Sequence, residues 1–356
     1  MSGTAWLATI GAIGLLWLVA HITGGLGKKK GYHYWAFFAM GFLTGFVGLI
    51  VAIVIGRSVN PVPVRGSRAT GKTLRLPRAR LLHEVLPRHA DVSGPIIEID
   101  DIHLSFAGVK AIDGVSFAVQ NGEIFAIIGP NGAGKTSIFN SISGVYRPQE
   151  GSIRFMGHEL IGMKPNRVAD LGVARTFQNI ELFPQMTVLD NLMLGRHQHV
   201  EYGTFSAMLR IGRASKEEAR NRAVVEGIIE FLEIQQFRKS YVAMLPYGIQ
   251  KRIELGRALA MEPRLLLLDE PVAGMNLEET EDMARFITDI KRELKIGVVL
   301  VEHDMRMVMD LADHVIALDF GKPIALGLPA EIQSNPDVVR AYLGEEHAIA
   351  EEGATA

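Results

Sequence analysis

The chain has 356 residues, no cysteine and a formal net charge of −2. It can therefore form no disulfide and no thiolate metal site, and its length suits one large domain with attachments. The charge is unevenly spread: residues 1–90 hold 11 of the 37 Lys and Arg residues and one of the 39 Asp and Glu residues, a net of +10, which leaves a net of −12 for residues 91–356.

Two apolar runs, residues 5–22 and 34–56, lie in the basic segment. The second run has no charged side chain, and as a helix it would span about 34 Å, slightly more than the roughly 30 Å hydrocarbon core of a bilayer. We expect residues 1–56 to form a transmembrane helical hairpin that contacts the lipid bilayer. A secretory signal is the weaker alternative, because the start has no basic residue and a second span follows.

Residues 57–94 contain Arg, Pro, Gly and Ser with little periodicity, which predicts a basic linker. Its arginines favour a cytoplasmic position for the end of the second span. Because these charges adjoin apolar spans, they suit anionic lipid headgroups better than nucleic acid, and we expect no nucleic-acid partner. At the other end of the chain, residues 345–356 predict an acidic flexible tail.

A nucleotide-binding loop is predicted after "VSFAVQNGEIFAIIG", which indicates strands joined by tight turns. Residues 124–128 form a short buried strand, followed by the full G-x-x-x-x-G-K-[ST] pattern and a helical stretch. The glycines let backbone N–H groups wrap phosphate oxygens, Lys135 would reach the terminal phosphates, and the Thr136 hydroxyl would bind Mg²⁺. The predicted nucleotide-binding residues here are Gly129, Pro130, Asn131, Gly132, Ala133, Gly134, Lys135, Thr136 and Ser137.

The stretch "RLLLLDEP", residues 264–271, supplies the acids that phosphoryl transfer needs. Four leucines predict a buried strand, and Asp269 and Glu270 follow at its end. We expect Asp269 to hold Mg²⁺ through water and Glu270 to polarise the attacking water.

The order of these motifs resembles the ATP-binding cassette of ABC transporters, from about residue 96 to residue 344. The resemblance implies a P-loop NTPase fold of the α/β class, with a RecA-like core, an antiparallel β subdomain and a helical subdomain over residues 95–344. It also implies ATP and Mg²⁺ as cofactors. The family's motifs fall on Gln178 (contacts to Mg²⁺ and water), His303 (the switch histidine), Phe106 (adenine stacking) and the signature stretch "LPYGIQ" with Tyr247, Gly248 and Gln250.

From the residues alone, several of these roles have alternatives. Gln178 is otherwise an ordinary polar loop residue, and His303 is otherwise a structural residue at the end of a strand. Phe106 is equally well placed as a core residue. The apolar residues that follow Gln178 either form a groove for a permease or pack in the core; they are Phe183, Pro184 and Met186.

Within the family, "GVARTFQNIELFPQMTVLDNLMLGRH", "AGMN" and the late "NPDVVRAYLG" resemble the ATP-binding subunits of branched-chain amino acid importers, and the G-type rather than the F-type subunit. Two departures stand out. Pro246 replaces the usual serine of the signature, which removes both a hydroxyl and a backbone N–H. Asn276 stands where the family usually has Asp.

The resemblance implies an ATPase subunit of an importer for branched-chain or other hydrophobic amino acids. Its implied partners are membrane permease subunits, a second cassette (as a homodimer or with an F-type subunit) and, indirectly, a periplasmic solute-binding protein. The implied location is the cell (inner) membrane, with the cassette on the cytoplasmic side. The alternative is a non-transport cassette that signals through membrane partners to a cell-envelope machine.

Overall fold

The computed structural model describes residues 20–22, 82–87, 94–199 and 213–342. Most of the predicted hairpin and linker, and all of the predicted tail, lie outside these residues. Among the described residues, no helix has the length and apolar character that crossing a bilayer requires, so the predicted hairpin finds no support there. The chain divides into two compact units, Met1–Arg75 with Glu201–Glu217 and Leu76–Val200 with Glu218–Ala356.

The second unit carries nearly all of the described secondary structure. Its strands are β1 (Ile97–Phe106), β2 (Val109–Val119), β3 (Ile124–Ile128), β4 (Glu150–Phe155), β5 (His158–Glu159), β6 (Val173–Arg175), β7 (Leu265–Asp269), β8 (Gly297–Val301), β9 (His314–Asp319) and β10 (Lys322–Gly327). The helices are α1 (Lys135–Ile142), α2 (Pro165–Asp170), α3 (Val188–Gly195), α4 (Arg213–Phe231), α5 (Tyr247–Leu259), α6 (Leu277–Leu294), α7 (Met305–Leu311), α8 (Pro329–Gln333) and α9 (residues 336–342). Short 3₁₀ helices cover Leu82–Glu84, His197–His199, Gln235–Phe237 and Val242–Met244.

The strands form two sheets. One is antiparallel with the order β2-β1-β4-β5, and the other has the order β10-β9-β3-β8-β7-β6. In the second sheet β3 runs parallel to β8 and β9, and β7 runs parallel to β6 and β8, while only β10 is antiparallel to its neighbour. The antiparallel subdomain and the α/β core that the sequence predicts are therefore both present.

Side-chain alternation explains why the central strands are apolar throughout. Phe125 and Ile127 of β3 face the core cluster beneath the antiparallel sheet, whereas Ala126 and Ile128 face the cluster beneath α7 and α8. Successive side chains of a strand point to opposite faces, and a parallel sheet covered on both faces buries both sets. The four leucines of β7 are divided between two clusters in the same way.

The helical subdomain lies between β6 and β7 in the chain. Its helices α3, α4 and α5 contribute Leu192, Ile228 and Leu255 to one core cluster. The helices approach closely at Gly256, where a Cβ atom would lie 2.8 Å from the Leu232 side chain. A larger residue at position 256 would force the helices apart.

Residues 82–87, which we call the clasp, fall within the predicted linker but belong to the second unit. Leu82 and Leu86 are buried in the same cluster as the helical subdomain. The Leu82 N–H donates to the Glu293 carboxylate of α6, and a Cβ atom on Gly227 of α4 would lie 2.3 Å from Val85. This part of the linker is therefore an ordered element of the cassette.

Candidate functional site

The phosphate loop joins β3 to α1 and needs glycine at defined points. Gly134 has φ 101°, and a Cβ atom there would lie 2.5 Å from the Ala111 carbonyl oxygen. Gly134 is also the N-cap of α1, so no side chain caps the helix. The first N–H groups of α1 have no intrahelical partner, and they make a site suited to an anion.

Lys135 lies folded back along this loop. Its buried ammonium donates to the carbonyl oxygens of Gly129, at 2.6 Å, and Pro130, at 2.9 Å. These bonds keep the charge at the loop without exposing it to bulk water. A bound phosphate would replace neutral acceptors with charged ones, and charge-assisted hydrogen bonds are about twice as strong.

The predicted loop residues 131–137 and the three predicted catalytic residues line one cavity of about 230 Å³, whereas Gly129 and Pro130 are not among its lining residues. The catalytic residues arrive from three different places: Gln178 after β6, Glu270 after β7 and His303 after β8. All three positions lie beyond the carboxyl ends of parallel strands, which is where ligands bind in open α/β sheets. The cavity is lined by Ala111, Asn131, Gly132, Ala133, Gly134, Lys135, Thr136, Ser137, Gln178, Glu270 and His303.

Glu270 is the centre of a hydrogen-bonded trio. Its carboxylate accepts from Gln178 Nε2 at 3.0 Å and from His303 Nε2 at 2.5 Å. A carboxylate in its ionised form can only accept, so this hydrogen bond then requires the His303 tautomer with its proton on Nε2. The backbone of Glu270 has φ 48°, a conformation that costs energy for a residue with a side chain and is common at functional sites. The arrangement holds a carboxylate beside the phosphate loop, in position to accept a proton from water.

Asp269 closes β7 and is paired with Arg175, the last residue of β6. Arg175 Nη2 donates to Asp269 Oδ2 at 2.7 Å; Asp269 is buried and Arg175 is partly buried. Arg175 Nη1 donates to Asn140 Oδ1 of α1, and the guanidinium lies between the rings of Phe139 and Phe177, 5.4 and 5.3 Å from their centroids. The sequence analysis missed Arg175, although an arginine that ends a buried strand just before Gln178 was a usable signal.

The oxygen donors near the cavity fit Mg²⁺. Thr136 offers a hydroxyl, and Gln178 uses its amide nitrogen toward Glu270, which leaves the amide oxygen for a cation. Arg175 engages Oδ2 of Asp269. Within the described residues no cluster of three or more His, Cys, Asp or Glu residues could hold a metal by itself. A Mg²⁺ ion here would therefore bind together with nucleotide phosphates, as this ion commonly does.

The signature helix α5 supports the loop that carries Gln178. Lys251 of α5 is buried and donates to the Gln178 carbonyl at 2.9 Å, while Glu254 accepts from the Phe177 N–H at 3.1 Å. Burial raises the pKa of Glu254, although this N–H and the Lys251 charge act against the shift. Lys251 was not predicted, because nothing in its helical pattern indicates that the ammonium is buried.

The remaining predicted residues lie outside the cavity. Phe106 is exposed, with its ring 5.0 Å from that of Tyr146 in an edge-on contact. Tyr247 and Gly248 open α5, and partial burial raises the pKa of Tyr247, with Glu254 and Glu270 adding to the shift. Gln250 is turned away and donates to the Leu245 carbonyl at 2.8 Å.

The two departures from the family pattern both start helices. Pro246 is the N-cap residue of α5, so its missing N–H breaks no bond within the helix. Asn276 caps α6 in a reciprocal box with Glu279: its side chain accepts from the Glu279 N–H at 3.0 Å, and its own N–H donates to the Glu279 carboxylate at 3.1 Å. Asparagine caps a helix as well as aspartate does.

The chain is similar to known ABC transporter proteins over this region. Residues 112–273 match a family model described as ABC transporter, and residues 322–348 match one described as branched-chain amino acid ATP-binding cassette transporter. The chain is 38% identical over 254 residues to the high-affinity branched-chain amino acid transport ATP-binding protein BraF of Pseudomonas aeruginosa. It is also 38% identical over 256 residues to LivG of Salmonella typhimurium. Both matches cover 71% of this chain and 100% of the relative.

Solved structures agree with these matches. An ATP-binding cassette of an ABC transporter in its ADP conformation superposes with a TM-score of 0.62 at 29% identity, over 71% of this chain and 100% of that chain. A nucleotide-free ATP-binding cassette gives a TM-score of 0.61 at 30% identity, over 70% of this chain and 98% of that chain. More than a quarter of this chain has no counterpart in these proteins.

Proposed function

We propose, on the premise that the chain belongs to the ABC transporter family of ATP-binding subunits, that it drives the import of branched-chain or other hydrophobic amino acids. Members of the family bind and hydrolyse ATP, and this chain would energise separate permease subunits. The observation that carries the proposal is the Glu270 carboxylate, held by Gln178 and His303 at the edge of the phosphate-loop cavity. The relatives BraF and LivG are branched-chain amino acid transport ATP-binding proteins, and they supply the substrate class.

Hydrolysis would proceed by polarisation of one water molecule. Glu270 would accept the proton of the attacking water, and Gln178 would keep the carboxylate in place after His303 has released it. His303 would turn its Nε2–H toward the γ-phosphate once that group is present. Lys135 and the N–H groups of α1 would offset the charge of the terminal phosphates. Thr136 and Gln178 would hold Mg²⁺ directly and Asp269 would hold it through water, and the ion would supply positive charge that offsets the charge of the phosphates.

A second cassette would complete each site. At the start of α5, Tyr247 is exposed and lies outside the chain's own cavity, which suits a role at a partner's nucleotide, whereas Gly248 is buried. Gly248 packs so tightly on Glu279 that a Cβ atom would lie 2.2 Å from its carboxylate. Two chains would close head to tail, as a homodimer or with an F-type subunit. Phe106 would stack on the adenine, because its ring is exposed on one side.

The permease would dock beside the loop that carries Gln178. A groove of about 260 Å³ is lined mostly by apolar side chains, among them Val145, Val168 and Phe177, and Arg175 and Arg257 also line it. Phe183 is exposed after the same loop. A permease segment in this groove would move with Gln178 and so respond to nucleotide. A periplasmic solute-binding protein would act on the permease from the other side.

We also propose that residues 1–56 form a transmembrane hairpin, residues 57–94 a basic linker whose residues 82–87 pack into the cassette, residues 95–344 the cassette and residues 345–356 a flexible tail. This places the protein at the cell (inner) membrane with the cassette on the cytoplasmic side. The support is the uncharged run of residues 34–56 and the arginines that follow it.

Uptake of labelled leucine tests the function. Cells that lack their own leucine importer would express this chain with its neighbouring permease subunits. We expect uptake with the unaltered chain, a loss of about 10²–10⁴-fold in ATP hydrolysis with Glu270→Gln, and loss of uptake with it. Glu98→Gln is the matched control, since Glu98 is an exposed acid on β1, 3.9 Å from Arg154.

Two results would contradict the proposal in different ways. Normal uptake with Glu270→Gln would reject the role of Glu270 and leave transport intact. ATP hydrolysis without uptake of any apolar amino acid, together with co-purification of a non-transport membrane partner, would instead favour the signalling alternative.

A further inference from the structure

The C-terminal helix reaches the phosphate loop through one hydrogen bond. The hydroxyl of Tyr342, in α9, accepts from the N–H of Gly129 at 2.8 Å, across 213 positions of sequence. Gly129 is buried and is the first glycine of the phosphate loop. Its N–H therefore points into the protein, where a buried donor without a partner is costly.

The carbonyl oxygen and the Cα of Gly129 also have close contacts. Its carbonyl oxygen accepts from Lys135 Nζ at 2.6 Å. Its Cα lies so close to β9 that a Cβ atom would be 2.3 Å from the Leu318 carbonyl oxygen. The N–H of Gly129 thus contacts α9 through Tyr342, its carbonyl oxygen contacts α1 through Lys135, and its Cα lies against β9 at Leu318.

Packing fixes where the Tyr342 hydroxyl lies. The α9 residue Val338 and Ile332 of α8 are buried in the same cluster as Ala126 and Ile128 of β3, and the Tyr342 ring packs against this cluster. The helix therefore rests on the strand that leads directly into the phosphate loop. Gly129 directly follows β3, and α9 packs against β3. This packing therefore sets the distance between the Gly129 N–H and the Tyr342 hydroxyl.

We propose that Tyr342 is a positioning residue for ATP binding, which fixes the first residue of the phosphate loop before the nucleotide arrives. Without the hydroxyl, the Gly129 N–H is unpaired in the nucleotide-free loop, and other loop conformations that expose it to water gain population. ATP then binds only the fraction of molecules whose loop is in the competent form, and the apparent Kd rises in inverse proportion to that fraction. The reacting groups Glu270 and His303 are unchanged, so the rate at saturating ATP stays the same.

The test is Tyr342→Phe in the full chain, which removes the hydroxyl and keeps the packed ring. We expect the Kd for the fluorescent analogue mant-ATP to rise about five- to tenfold, since a buried unpaired donor has a cost of that order. Turnover of the assembled complex at saturating ATP should be unaltered. Hydrogen–deuterium exchange without nucleotide should show faster exchange confined to the peptide of residues 124–132.

Arg340→Ala is the matched control, because Arg340 lies on the same helix, is exposed and forms an ion pair across one turn, with Asp337 at 3.1 Å. It should leave the Kd and the exchange of residues 124–132 unchanged. An unaltered Kd in Tyr342→Phe would overturn the proposal, even if the variant melts at a lower temperature. An equal rise in Kd for Arg340→Ala would also overturn it, because the effect would then belong to the helix and not to the hydroxyl. The proposal depends on ATP binding alone, so failure to transport amino acids would not affect it.

Discussion

The clasp should contribute measurably to the stability of the cassette, and Leu82→Ala tests this. Leu82 is fully buried beside the helical subdomain, and its N–H donates to the Glu293 carboxylate. Truncating a buried leucine to alanine costs about 2–5 kcal/mol, through lost transfer free energy and a residual cavity. In a domain of this size about 1 kcal/mol shifts the melting temperature by roughly 2–4 °C. We therefore expect Leu82→Ala to lower it by about 5–15 °C.

The neighbouring residue provides the control. His83 is exposed and lies 3.7 Å from Glu293, so His83→Ala should change the melting temperature by no more than about 2 °C. Far-UV circular dichroism is the suitable assay, because all three tryptophans, Trp6, Trp17 and Trp35, precede the cassette. If Leu82→Ala has the same melting temperature as the unaltered chain, the clasp is not part of the cooperative unit and the argument from its burial is wrong.

Three other changes have expected outcomes. Lys135→Ala should weaken ATP binding in a nucleotide titration, because it removes the charge directed at the terminal phosphates; unchanged affinity would count against that role. Pro246→Ser restores the usual signature hydroxyl. If that hydroxyl limits hydrolysis, ATPase assays of the assembled complex should show faster turnover; if the start of α5 already suffices, the rate should be unchanged and the stability slightly lower. A large fall in rate with intact folding would reveal another role for Pro246. Expressed without a permease, the full chain should remain in the membrane fraction after an alkaline carbonate wash, whereas a fragment of residues 76–356, which keeps the clasp, should be released; release of both would refute an integral anchor.

The clasp also shows where sequence reasoning stopped. Residues 57–94 have the composition of a linker, and a deletion up to residue 90 removes no predicted site residue. The same deletion removes Leu82 and Leu86, which are buried in the core. Two leucines in a basic, aperiodic stretch give no local signal of burial, because the surface that covers them comes from α4 and α6, far away in the chain.

The sequence by itself determined the features that are contiguous. Residues 124–128, predicted as a strand, form β3, and the four leucines of "RLLLLDEP" lie in β7. The loop between β3 and α1 followed from glycine spacing, since a strand, a turn with φ > 0 and a helix start are all local choices of backbone conformation. The meeting of Gln178, Glu270 and His303 was expected only through the family resemblance.

Only the tertiary structure decided which distant polar groups pair. Asp269 with Arg175, the Gln178 carbonyl with Lys251 and the Gly129 N–H with Tyr342 are separated by 94, 73 and 213 positions. Each pair forms because particular strand ends, or a strand and a helix, are packed side by side. The pattern of apolar residues indicates that a helix or strand is buried. It does not indicate which other helix or strand covers it, because many packing arrangements bury the same residues. A buried donor or acceptor then takes the partner that the chosen packing brings within about 3 Å.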